Sequence, residues 1–342
     1  MNVSYVRKIP KVEEILADQP IDEGLKKIKN QRDEQIKAVF EKKSDKFLVI
    51  IGPCSAHDED AVIDYVNRLA RVQEKTADKL IIIPRIYTNK PRTTGQGYKG
   101  MLHQPDHRAK PNVSEGIRVI RQMHLRSLRE SNLSGADEML YPGNHPYLED
   151  VLSYVAIGAR SVENQQHRLT ASGLNIPVGM KNPTSGDQGV LLNSIKAAQH
   201  SHIFVYNGWE VQTRGNPFAH AILRGSINQY GQTIPNYHYD DLVRLAESYE
   251  KRDLQNPLII VDTNHDNSAK KYKQQPRIAL EVLRSRNHSQ SLKLLIRGLM
   301  IESYIAEGKQ DPEGNVYGQS ITDPCLGWEE SEKLLYDIAD CI

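Results

Sequence analysis

Residues 47–55 read FLVIIGPCS: five apolar residues in unbroken succession, a Gly-Pro stop, then the thiol of Cys54 and the hydroxyl of Ser55. A run this short, with no polar alternation, marks a strand covered on both faces, as in a parallel sheet. The same grammar recurs along the chain. KLIIIPRIY (79–87), GADEML (135–140), VAIGAR (155–160), IPVGMKN (176–182), AHAILRG (219–225), LIIVDTNH (258–265) and LKLLIRGLMIES (292–303) each carry an apolar run into a polar or glycine-containing turn. Longer amphipathic stretches separate them. Eight strand–helix units predict an α/β fold, a (β/α)8 TIM barrel occupying residues 46–342. The segment HIFVYNGWEVQTRGN (202–216) predicts an extra β-hairpin before the sixth strand. Residues 1–45 form an N-terminal extension, helical where apolar residues recur at three- and four-residue spacing in 12–19 and 23–43.

Composition narrows the function. A chain of 342 residues with 39% apolar side chains can bury a core, which excludes disorder as its main state. With 44 basic against 43 acidic residues there is no global field to draw it onto nucleic acid or an anionic membrane, so neither is expected as a partner. The apolar runs are far too short to span a bilayer. Three cysteines, Cys54, Cys325 and Cys341, with no C-x-x-C pair, argue against a disulfide framework and for a reducing compartment, the cytoplasm.

In a parallel barrel the chemistry gathers where the strands end, because only those loops share a mouth. The predicted strands end at Cys54, Arg85, Glu138, Arg160, Lys181, Arg224, His265 and Glu302. Cys54, His265 and Glu302, joined by Asp323 in the SITDPC loop, offer a thiol, an imidazole and two carboxylates. That mixture suits one divalent ion of borderline softness, Mn, Fe, Co or Zn. Arg85, Lys90, Arg92, Arg160, Lys181 and Arg224 form a second, cationic set, which expects phosphorylated or carboxylated ligands. The alternative, in which acidic neighbours satisfy each cation separately, stays open at this point. The run Lys90-Pro91-Arg92-Thr93-Thr94, followed by Gly95, Gly97 and Gly100, could turn main-chain N–H groups toward a second phosphate. Neither a G-x-x-x-x-G-K-[ST] loop nor a strand-linked G-x-G-x-x-G is present, so ATP and dinucleotides are not expected.

These stretches resemble a known family. IGPCS (51–55), KPRTT (90–94), GAR (158–160) with HR and ASGL downstream, PVGMKN (177–182), ILRG (222–225), the D-x-x-H-x-N-S of 262–268, MIES (300–303) and SITD with the following Gly-Trp-Glu are similar to the metal-dependent type I 3-deoxy-D-arabino-heptulosonate 7-phosphate (DAHP) synthases. The resemblance implies condensation of phosphoenolpyruvate with erythrose 4-phosphate and water, giving DAHP and phosphate at the entry to the shikimate pathway. It implies Cys54, His265, Glu302 and Asp323 as metal ligands. Arg160, Lys181 and Arg224, with Ala159 of the same Gly-Ala-Arg run, would hold the phosphoenolpyruvate phosphate. Arg85 and Lys90 would lie near its carboxylate, with Glu138 beside the site. Arg92 and Thr93 would contact erythrose 4-phosphate. Lys90, Glu138 and His265 are then the expected catalytic residues: Lys90 serves the aldehyde oxygen, and Glu138 either orients the attacking water or neutralises Lys181 or Arg160. Relatives assemble partly through N-terminal segments, so residues 1–45 imply a homodimer or homotetramer and an oligomerisation or regulatory role.

The sequence also departs from the family's pattern. The 202–220 hairpin reads a few residues short, and Tyr141 stands where an aspartate is expected three residues after Glu138, so aromatic amino-acid feedback is expected to be weak or absent. GARSVEN, GMKNPTSG, TNKPRTT and DTNHDNS replace GARTTES, GFKNGTDG, FEKPRTT and DFSHANS. These changes keep two alternatives in view, a secondary-metabolism relative taking a modified aldose phosphate and a non-catalytic sugar-phosphate-binding relative.

Overall fold

Each of the eight apolar runs forms a strand, and all eight pair in parallel. In the computed structural model, which describes all 342 residues, the strands are β1 (Phe47–Gly52), β2 (Leu80–Pro84), β3 (Gly135–Glu138), β4 (Leu152–Ile157), β5 (Val178–Lys181), β6 (Ile203–Tyr206), β7 (Trp209–Gln212), β8 (Ala219–Leu223), β9 (Ser226–Ile227), β10 (Thr233–Ile234), β11 (Ile259–Asp262) and β12 (Ile296–Glu302). The barrel order is β2-β1-β12-β11-β8-β5-β4-β3. A parallel bridge between Arg85 and Ala136, with Ile86 N–H donating to the Ala136 carbonyl at 2.9 Å, closes the ring. The expected α/β barrel is therefore present, as is the extra hairpin, β6 pairing antiparallel with β7.

Burial follows the pleat. Phe47, Val49 and Ile51 of β1 join a cluster of 65 buried residues between the strands and their surrounding helices. Leu48 and Ile50 join a second cluster of 16 that fills the barrel interior with Tyr154, Ile222, Ile260 and Met300. The crossover helices begin on side-chain caps. Asp58, Asn112, Asn164 and Asp187 each accept the N–H three residues on, which stops the preceding mouth loop at a fixed point.

Three local features differ from the sequence reading or extend it. Residues 292–295 are the end of a short helix (Gln290–Leu295), not the start of the last strand, because Ser289 caps Leu292 and the strand begins only at Ile296. A second small hairpin, β9–β10, follows Arg224 and was not expected. The N-terminal helices span Val12–Asp18 and Glu23–Phe40, and the second one plugs the lower end of the barrel. Its Ile36, Val39 and Phe40 belong to the interior cluster, so the core is continuous across residue 45. Polar contacts fix the plug: Lys29 pairs with Asp33 at 2.5 Å, Ser153 of β4 donates to Asp33, and Arg32 donates to the Ile82 carbonyl at 2.6 Å. No helix is long and apolar enough to cross a membrane.

Beside that plug lies His220 of β8, fully buried, 4.8 Å from the Phe40 ring. Its Nδ1 faces the Phe218 carbonyl at 2.9 Å and its Nε2 faces the Tyr154 hydroxyl at 2.8 Å. A neutral ring satisfies both, donating from Nδ1 and accepting at Nε2. Burial lowers its pKa to about 4, from an ordinary value of 6.5. The unfolded chain thus takes up a proton below pH 6.5 that the folded chain refuses until pH 4. Stability is unaffected by this group above pH 6.5 and falls between 6.5 and 4, by up to roughly 3 kcal/mol at about 1.4 kcal/mol per pH unit. We expect His220→Gln to be less stable than the parent at pH 7, yet to lose less stability between pH 6.5 and 4. Urea unfolding at several pH values measures both slopes, and equal slopes would contradict the assignment.

Candidate active site

The strand-end residues share one cleft of about 270 Å³. Cys54, Arg85, Lys90, Arg92, Thr93, Glu138, Ala159, Arg160, Lys181, Arg224, His265 and Asp323 all line it, and Glu302 lies just beneath, hydrogen-bonded to Arg85. Parallel pairing explains the convergence. Glu302 and Gly52 are register partners on β12 and β1, and Ser303 N–H donates to the Gly52 carbonyl, so residues 250 positions apart end at one level.

Four of the cations arrive with counter-ions. Arg85 lies 3.0 Å from Glu302, Lys90 lies 2.7 Å from Asp323, Lys181 lies 3.4 Å from Asp262, and Arg224 lies 2.6 Å from Asp266. All but Asp323 of these carboxylates are buried, and burying such cations without partners would be prohibitive. The acidic-neighbour alternative is thus correct for these four. Arg92, Arg160 and a further lining residue, Lys270, have no carboxylate within 4.0 Å. Glu138 forms no ion pair either; its expected neutralising role toward Lys181 is taken by Asp262. Its carboxylate instead lies across Gly158, where a Cβ would stand 2.3 Å from Oε1, so any other residue there would push the Glu138 carboxylate aside.

The thiol, imidazole and carboxylate set occupies the other side. Cys54 Sγ donates to Asp323 Oδ2 at 3.3 Å, and the Lys90 ammonium sits 2.7 Å from both atoms. A positive charge thus already stands between these two donors. His265 Nε2 lies 3.9 Å from Glu302 Oε1 and its Nδ1 2.9 Å from Asp262 Oδ2, within ion-pair distance but outside hydrogen-bonding geometry. Asn264 Nδ2 donates to the second Glu302 oxygen at 2.6 Å. Burial, opposed in part by Lys90 and Arg85, raises the Cys54 thiol to about 11. The Asp323 and Glu302 carboxyls are shifted the other way: burial alone would raise them, but Lys90 outweighs it at Asp323 and His265 with Arg85 at Glu302. The chemistry of these four side chains, a thiol, an imidazole and two carboxylates, suits a borderline divalent cation, but they do not stand together as a ready-made ligand cluster, since the Lys90 ammonium lies against both Cys54 and Asp323.

The loop that brings Lys90 is anchored from beneath by Asp137, a residue the sequence reading missed. Asp137 Oδ1 accepts the Thr88 N–H at 2.9 Å and the Glu138 N–H at 2.7 Å, and its other oxygen takes the Thr88 hydroxyl. One buried carboxylate thereby sets the backbone of both Lys90 and Glu138. The loop then doubles back, Lys90 N–H donating to the Lys99 carbonyl at 3.0 Å, with Gly100 at φ 99° pressed against the Thr88 carbonyl. The glycine N–H groups are partly consumed in this folding. Gly95 N–H donates to the Arg92 carbonyl at 3.1 Å, so the expected main-chain phosphate cradle is reduced, and Arg92, held by Nε to the Tyr98 carbonyl, remains the loop's free cation. The other missed residues, Asp262, Asp266 and Lys270, lie within five positions of His265 in sequence.

Comparison with known proteins agrees with this geometry. The sequence model of the DAHP synthetase I family matches residues 26–336. The phospho-2-dehydro-3-deoxyheptonate aldolase of Haemophilus influenzae is 38% identical over 96% of this chain and 90% of its own length. The Trp-sensitive enzyme of that name from Escherichia coli K12 is 37% identical over 90% of this chain and 87% of its own. Among solved structures, the phospho-2-dehydro-3-deoxyheptonate aldolase of Francisella tularensis superposes with a TM-score of 0.91 at 31% identity, covering 100% of this chain and 98% of that one. With family-wide sequence agreement, a shared barrel and the strand-end cleft in place, the chain belongs to the DAHP synthetase I family.

Proposed function

We propose that this protein condenses phosphoenolpyruvate with erythrose 4-phosphate and water to give DAHP and inorganic phosphate, as a cytoplasmic metal-dependent transferase. The observation that carries the reading is the pairing, in one cleft, of cations from four strand ends with a thiol, an imidazole and two carboxylates. Arg160, Lys181 and Arg224 bind the phosphoenolpyruvate phosphate beside Ala159, and Arg85 with Lys90 faces its carboxylate. Arg92 and Thr93, from the Lys90 loop, take the aldose phosphate. Cys54, His265, Glu302 and Asp323 would hold a divalent ion, which when bound would supply polarisation of the aldehyde carbonyl. Phosphoenolpyruvate C3 attacks that carbonyl carbon as Lys90 donates a hydrogen bond to the oxygen that gains charge. Burial opposes the Lys90 charge, but Cys54 and Asp323 outweigh it and raise its pKa, so it acts as an ammonium. Glu138, unpaired and facing the cleft, orients the water that adds to C2 before the phosphate departs.

Two further readings accompany this one. The β6–β7 hairpin exposes Ile203, Val205 and Trp209, and the extended first ten residues expose Val3, Tyr5 and Val6. Apolar side chains exposed in this way favour self-association, and we assign a homodimer or homotetramer to them. The short hairpin and Tyr141 support weak or absent aromatic feedback.

Three measurements test the set. Phosphoenolpyruvate consumption should depend strictly on erythrose 4-phosphate, fail with arabinose 5-phosphate, stop with a chelator and return on adding Mn, Fe, Co or Zn; Lys90→Ala should lower kcat by about 10³ or more. Consumption without any aldose would remove the reading. Light scattering on the purified protein should give two or four times the chain mass, and a monomer at micromolar concentration would contradict the assembly. Phenylalanine, tyrosine or tryptophan at millimolar concentration should leave most of the rate, and a near-complete loss would contradict the feedback reading.

A further inference from the structure

Among the cleft's carboxylates, Asp266 has a singular position. Asp262 is shared between Lys181 and His265, Glu302 between Arg85 and Asn264, and Asp323 between Lys90 and Cys54. The Asp266 carboxylate has one polar side-chain partner only, the Arg224 guanidinium, at 2.6 Å, and no other acceptor reaches that guanidinium. Both side chains are more than nine-tenths buried. Backbone bonds enforce the pair: Asp266 N–H and Asn267 N–H both donate to the Arg224 carbonyl, at 3.1 and 3.3 Å. Gly225, at φ 75°, lets the two loops touch, since a Cβ there would stand 2.6 Å from Asn267 N and from the Asp266 carbonyl carbon. The two residues are thus brought side by side by how two strand-end loops dock, and within that docking their side chains meet as an ion pair.

We propose that Asp266 is a built-in counter-ion that stands in for phosphate at Arg224 when the cleft is empty, and thereby holds the affinity for inorganic phosphate down. The inference rests on the reading of Arg224 as a phosphate ligand. An entering oxyanion must share the guanidinium with a fixed carboxylate. Its gain is the difference between two anionic partners, not the full relief of a bare buried cation. Phosphate is the group released in each turnover, so a clamp that has its own anion lets product go more readily.

Calorimetric titration of inorganic phosphate into the full chain, with Asp266→Asn, Asp266→Ala, Arg224→Ala and the Asp266→Ala/Arg224→Ala double variant, tests it directly. Removing the carboxylate leaves Arg224 uncompensated until phosphate arrives, so both Asp266 variants should bind phosphate about tenfold more tightly. Arg224→Ala should bind it weakly, and the double variant should match Arg224→Ala. Damage to the fold would loosen phosphate, so tightening is a readout that a merely structural role does not produce; a thermal melt of the isosteric Asp266→Asn protein checks that it folds. Phosphate binding that is equal to the parent's or weaker in both Asp266 variants, with Arg224→Ala still impaired, overturns the inference alone. Undiminished binding by Arg224→Ala overturns the assignment of Arg224 as well.

Discussion

Charge can be buried at the mouth of a barrel only where opposite charge stands within a few ångströms, and this constraint organises the molecule. Arg85, Lys181 and Arg224 are almost wholly removed from water, and each has a carboxylate between 2.6 and 3.4 Å away. The partners come from other strands or their loops: Glu302 from β12, Asp262 from the end of β11, Asp266 from the loop after β11. The Arg224–Asp266 pair ties the adjacent strands β8 and β11, whereas Arg85–Glu302 reaches across β1 and Lys181–Asp262 across β8, so the geometry of each pair is only as precise as the register of the parallel ladder. A slip of one residue would turn Leu48 and Ile50 outward and Val49 and Ile51 inward, and would carry the strand-end groups out of reach of one another.

The same reasoning explains why the lower end of the barrel is closed so differently. There the strands begin, no ligand is needed, and the interior can be sealed with apolar side chains from the helix Glu23–Phe40. Phe40 packs edge-on against Phe218 and His220, and polar groups at that end are matched within the plug itself or to β2 and β4. Rigidity at the bottom and compensated charge at the top are complementary. The strands are held by packing where they start, so the electrostatic pairs at their ends need only set side chains, not the barrel.

Much of this was legible in the sequence because a parallel strand buried on both faces leaves an apolar run with no alternation, and eight such runs survive in plain view. The strand ends were legible for the same reason: the first polar residue after each run has to face the mouth. What escaped notice was structure without a run. The β9–β10 hairpin has two residues per strand, too few for periodicity, and residues 292–295 look like strand because a Leu-rich final helical turn abuts β12. The counter-ions escaped because Asp137, Asp262 and Asp266 are ordinary acidic residues at turns, indistinguishable by local sequence from helix caps such as Asp58. Their roles exist only after the ring closes.

That closure bears on how the cleft can work. The cations left unpaired, Arg92, Arg160 and Lys270, are the more exposed ones, whereas Arg85, Lys181 and Arg224 are buried and already compensated. An arriving dianion is drawn by the unpaired charges, which a carboxylate has not quenched, and reaches the buried ones only by sharing them. Attraction and positioning are in this way assigned to different residues. The paired cations lie against carboxylates on anchored backbone: Asp262 Oδ1 accepts the Asn264 N–H, and Asp266 N–H donates to the Arg224 carbonyl. A preorganised site of this kind spends little of its binding energy on arranging itself, and more of it can be directed to the charge that develops as the carbon–carbon bond forms.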